Sequence, residues 1–147
     1  MRIDATGFCL QVSRAHASLN LKLDDELGSF HGLSLQDFIL LRLLSQAEGG
    51  HMPVADLVRP MGMRQSTVLR QLLQLEKTGK VQREAAPGGS AGRPWVALRP
   101  AGRGLLNDAR ATADAVCAAA LGALAPESLP AVDAAMDALC RSKALAL

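Results

Sequence analysis

Between positions 6 and 27 the apolar residues Phe8, Val12, Ala15, Leu19 and Leu23 recur at spacings of three and four. That period places them on one face and predicts an amphipathic helix from Thr6 to Leu27, with Gly28 and then Phe30-His31-Gly32 as its stop and turn. Ser34-Leu35-Gln36-Asp37 has the form of a capping box, in which Ser34 caps and Asp37 reaches back. The Phe38, Leu40, Leu41, Leu43 and Leu44 that follow leave this second helix apolar around much of its girth, as suits a central core helix. It ends at Glu48-Gly49-Gly50. Pro53 fits the first turn of a short helix reaching Val58, and Pro60 and Gly62 break the chain. A further helix runs from Arg64 to Thr78, with Val68, Leu69, Leu72, Leu73 and Leu75 as its buried side and Gly79 where a helix-terminating glycine belongs.

The period then changes. Val81–Glu84 and Trp95–Arg99 read as short strands, and Pro87-Gly88-Gly89-Ser90-Ala91-Gly92-Arg93-Pro94 between them suits the tip of a two-stranded ribbon. From Gly102 a long stripe of Leu106, Ala109, Ala113, Val116, Cys117, Ala120, Leu121 and Leu124 returns to helix. Pro126 interrupts it, and Ser128 caps a last helix carrying Val132, Ala135, Met136, Leu139 and Cys140. The expected fold is mainly α with a small β-wing. It is a winged helix-turn-helix over residues 33–103, with long terminal helices for dimerisation over 5–28 and 102–147, all within one domain of residues 1–147.

Charge sharpens that outline. The net charge of +2 hides a segment from Arg59 to Arg103 with nine bases and two acids, so this stretch carries +7 and the remainder −5. A basic middle between acidic flanks fits a polyanion-binding face. No apolar run approaches the roughly 20 residues of a membrane helix, so no membrane association is expected. Cys9, Cys117 and Cys140 are odd in number and widely spaced, which suits a reducing cytoplasm rather than a disulfide framework.

The candidate chemistry sits on the helix after Gly62. Its first turns carry Arg64, Gln65, Ser66, Thr67 and Arg70, all able to hydrogen-bond in a DNA major groove. On a helical wheel, 64, 67, 68 and 71 share one side, with 66 and 70 beside it, which adds Gln71 to the reading face. His16, His31 and His51 have no neighbours at metal-ligand spacing, and no catalytic or phosphate-loop motif is present. Neither an enzyme nor a metal or other cofactor is expected.

The run from Thr67 to Arg83, TVLRQLLQLEKTGKVQR, resembles the recognition helix and first wing strand of MarR-family transcription regulators. Leu33–Phe38, Leu98–Gly102 and Leu124–Leu129 resemble further family motifs in the right order. The resemblance implies a cytoplasmic homodimer that binds a palindromic operator in double-stranded DNA, a repressor released by a small ligand such as an aromatic acid. It implies that Arg93 reaches the minor groove or its phosphates, and that Lys77, Lys80 and Arg83 lie at the DNA backbone. It also implies an effector cleft, for which Arg14, His16, His31, Phe38 and Arg42 are the candidates. Three positions depart from the pattern: Ala91 replaces an aspartate that braces the wing, Arg64 a capping serine, and Arg99 a threonine.

Cys9 lies in the region where one branch of the family senses hydroperoxides, so a thiol switch there is an alternative function. The chain has no tyrosine to support such a thiolate, and all three cysteines read as buried packing residues. A winged helix that binds protein instead of DNA is the other alternative.

Overall fold

The computed structural model describes residues 2–87 and 92–146. Among the described residues the α-helices and strands follow in the order α1 (Ala5–His31), α2 (Leu35–Gln46), β1 (His51–Pro53), α3 (Val58–Met61), α4 (Gln65–Lys77), β2 (Val81–Glu84), β3 (Trp95–Leu98), α5 (Pro100–Leu121) and α6 (Leu129–Cys140). The chain divides into two compact units, Met1–Ala113 and Asp114–Leu147. The first holds the core. Leu27, Leu40, Leu41, Leu44, Val54, Leu57, Val68, Leu72, Val81, Val96 and Leu106 are fully buried in it. The second holds α6, none of whose residues is buried. No single described helix is long and apolar enough to cross a membrane.

The helix ends show why the chain turns where it does. Gly28 continues α1, which stops instead at Gly32, where a left-handed φ of 61° suits glycine and the N–H bonds to the Gly28 carbonyl. Ser34 caps α2 by accepting the Asp37 N–H at 3.1 Å. The carboxylate of Asp37 does not reach back and is engaged elsewhere. At the end of α4, Gly79 (φ 73°) donates to the Glu76 carbonyl and Lys80 to that of Leu75, the paired bonds of a Schellman motif. Ser128 makes no cap bond, because its backbone is already helical (φ −85°, ψ −18°).

The expected ribbon is a three-stranded antiparallel sheet in the order β1-β3-β2. His51, Met52 and Pro53 pair with Ala97, Val96 and Trp95, so Pro53 closes an edge strand rather than opening a helix. The segment expected as one short helix is a 3-10 turn, Val54–Leu57, running into α3. The stripe of α5 is buried through Leu106, Ala109 and Ala113, half-buried at Val116 and Cys117, and exposed at Ala120 and Leu121. Along α1 only Leu23 and Leu27 are buried, while Leu21 and Phe30 are 75% and 71% exposed.

Candidate nucleic-acid interface

The N-terminal half of α4 is where polar side chains stand free of the core. Arg64, Gln65, Ser66, Thr67 and Arg70 are all exposed, while Val68, Leu72 and Leu75 anchor the opposite side. Arg64 occupies the N-cap position and makes no side-chain cap bond, leaving the helix start without a side-chain acceptor. The α3 helix ends at Gly62 (φ 64°), whose left-handed turn carries the chain sharply from α3 into α4. This is the local geometry of a helix-turn-helix.

The phase of α4 differs from the helical-wheel reading. With Val68 buried, the side shared by residues 64, 67, 68 and 71 turns partly into the core. Gln71 is half-buried, and its amide donates to Asp37 Oδ1 at 2.9 Å. Leu73, expected in the core, is 40% exposed. The exposed polar stripe runs instead through Thr67, Arg70 and Gln74, residues at i, i+3 and i+7. Gln74 was missed by the sequence reading, although its spacing from Arg70 is the signal for it.

The bases from Lys77 onward have varied surroundings. Lys77, Arg93 and Arg99 are exposed, and Lys80 Nζ donates to the Thr78 carbonyl at 3.1 Å. Arg83 is engaged by Glu76 through a two-pronged pair, Nε–Oε2 at 2.8 Å and Nη2–Oε1 at 3.2 Å, and its backbone N–H bonds to the same carboxylate at 3.1 Å. This clamp ties β2 to the end of α4. Hydrogen bonding to Arg83 holds the Glu76 carboxyl below the ordinary carboxylate range and raises Arg83. Because the folded Glu76 value is lowered, the clamp contributes above the ordinary carboxylate pKa and is lost as pH falls through the lowered one. A carboxyl-carbon NMR titration should therefore find Glu76 titrating low in the wild type and moved up toward the ordinary range in Arg83→Ala, where only the backbone N–H of residue 83 still bonds it. Ala91 lies outside the described residues.

At the wing base, His51 Nδ1 meets Glu84 Oε1 at 2.8 Å and its ring tilts against Trp95, with ring centres 5.0 Å apart. These rings border an open cavity of about 490 Å³ also lined by Ala47, Glu48, Gly49, Met52 and Pro53. No group of three metal-ligating side chains occurs among the described residues.

The sequence profile of the MarR family matches residues 33–88, the segment from the start of α2 to the wing. Over that segment the chain is similar to the MarR family. Among solved structures, a MarR-family protein of Mycobacterium tuberculosis in complex with salicylic acid is 29% identical (TM-score 0.66, covering 88% of this chain and 93% of that one). AbsC, a MarR-family transcriptional regulator from Streptomyces coelicolor, is 24% identical (TM-score 0.78, 95% of each chain). A second Streptomyces coelicolor regulator, solved in complex with DNA, is 21% identical (TM-score 0.80, 95% of this chain and 88% of that one). No curated protein matches the sequence. Residues 33–88 span α2, β1, α3, α4 and β2, so the likeness covers the helix-turn-helix and the first wing strand.

The five effector candidates do not gather into one site. Arg14 and His16 are exposed on α1, where the His16 ring contacts Asn20 at 3.1 Å. At 1.5 Å per residue, they stand roughly 22–25 Å along the helix from His31. His31 bonds instead to Thr112 of α5 at 2.7 Å. Phe38 is buried in the core and Arg42, one turn on, is exposed. Cys9 and Cys140 are exposed and Cys117 half-buried, so the expectation that all three are core residues fails. Apolar spacing marks a face without saying what covers it.

Proposed function

We propose that the chain is a homodimeric repressor that binds a palindromic operator through α4 and the wing and is released by a small acidic ligand. The observation that carries the reading is the exposed polar half of α4, set beside the basic wing. Gln65, Ser66, Thr67, Arg70 and Gln74 would reach base edges, with Arg64, Lys77 and Arg93 on phosphates or the minor groove. Gln71 and Arg83 drop out of the contact set, because their polar groups are engaged within the fold. The salicylic acid held by the Mycobacterium tuberculosis relative supports a carboxylate effector, for which exposed Arg14 and Arg42 offer guanidinium partners.

Binding to a duplex should weaken steeply with salt, the log–log slope being about −0.9 per phosphate contacted. A flat dependence would remove the DNA reading and favour a protein-binding winged helix. Homodimerisation has its own support in the apolar positions that α1 leaves open. Leu21→Glu, at a position 75% exposed in the single chain, should shift the sedimentation from dimer toward monomer with helix content unchanged. Unaltered sedimentation would place the interface elsewhere.

A further inference from the structure

The packing of α4 leaves one degree of freedom open. Its buried stripe is Val68, Leu72 and Leu75. Apolar contact is non-directional, so such a stripe tolerates a modest twist of the helix with little change in buried area. The loss to DNA reading would be larger. A twist of about 15° moves a side-chain tip, some 5–6 Å from the helix axis, by about 1.5 Å, enough to spoil hydrogen-bond geometry. Something directional has to set the angle.

Gln71 is the polar position within that stripe, three residues after Val68 and four before Leu75. Its amide bond to Asp37 joins α4 to the first turn of α2. Asp37 is itself held, since its N–H bonds to Ser34 Oγ at 3.1 Å. The start of α2 is in turn fixed from α1, where Asp24 Oδ1 accepts the Leu35 N–H at 2.8 Å. A hydrogen bond to a carboxylate, half-withdrawn from water, is stronger and more directional than the apolar contacts around it. A single polar residue in an apolar seam is a known way to fix register at some cost in stability.

We propose that Asp37 and Gln71 are positioning residues for DNA recognition: their hydrogen bond sets the rotation of α4 and so aims Thr67, Arg70 and Gln74. This rests on the reading of α4 as the DNA-contacting helix. In the test, the wild-type chain selects its preferred duplex from a random-sequence pool. Affinities for that duplex and for a scrambled one are then measured for Asp37→Asn, Asp37→Ala, Gln71→Met and the Asp37→Ala/Gln71→Met double variant. Gln71→Met keeps the stripe filled and folded even where Asp37→Ala does not. Each single variant that breaks the bond should lose about tenfold on the selected duplex, and the double no more than either single, as residues acting through one bond do. The scrambled duplex should change less than about twofold, and Asp37→Asn, which keeps a carbonyl acceptor, should stay near wild type. Single losses that add independently, equal losses on both duplexes, or unchanged affinities would overturn the positioning role. A wild-type chain that selects no sequence would instead overturn the DNA reading beneath it.

Discussion

Replacing Arg70 by alanine should lower affinity for the selected duplex by about 10- to 100-fold and relax the preference at one base pair. A bidentate arginine–guanine contact is worth about 1–3 kcal/mol of discrimination, which spans that range. Arg70 is exposed in the second turn of α4, on the stripe that also carries Thr67 and Gln74, with Val68 and Leu72 anchoring the helix behind it. The same substitution should leave thermal unfolding nearly unchanged, since the side chain is outside the core. Arg70→Lys should recover little of the loss, because an ammonium cannot reproduce the planar two-donor fork. If Arg70→Ala weakens all duplexes equally, the residue contacts phosphate and the base reading passes to Gln65, Thr67 or Gln74.

The contrast between Arg70 and Gln71 shows what a sequence conveys here. Apolar spacing located every long helix, and the S-x-x-D and glycine signals located the α2 cap and the α4 stop. These depend on contacts within a few residues. The strand β1 was missed because its partners lie 46 residues away in the chain, His51 opposite Ala97, and three residues ending in proline carry no local strand signal. Gln71 and Arg83 were assigned to DNA because their residue types suit it. Within the chain they bond to Asp37 and Glu76, acids brought close by the fold, and residue type alone does not reveal such partners. Leu73 failed as a core position, and the face shared by Phe8 and Leu19 stays exposed in the single chain, for a related reason. Helical period identifies a common face, while its burial depends on which element packs against it.

Gly102 shows the reverse, a motif position whose physical reason only the fold supplies. It is buried in the first turn of α5, where a β-carbon would overlap the backbone carbonyl oxygen of Lys80 and come within 2.9 Å of Leu98 Cδ1. That Lys80 carbonyl cannot easily retreat, because it also accepts the Arg99 N–H at 3.0 Å at the end of β3. Gly102→Ala should therefore destabilise the fold by about 1–3 kcal/mol, the usual cost of overfilling a packed site, even after the gain alanine brings to a helix. Gly104, two residues on in the same helix, is exposed, with nothing within 4 Å of an added β-carbon. There the same substitution should stabilise by about 0.5–1 kcal/mol, through helix propensity alone. Urea unfolding of the two variants reads opposite signs from one chemical change. Equal shifts would mean that α5 does not press on the Lys80 carbonyl. With opposite signs, the variant to carry into DNA titrations is Gly102→Ala, because Lys80 leads directly into β2, whose Arg83 is clamped to the end of α4. A displaced carbonyl there should weaken duplex binding in the folded fraction as well as stability.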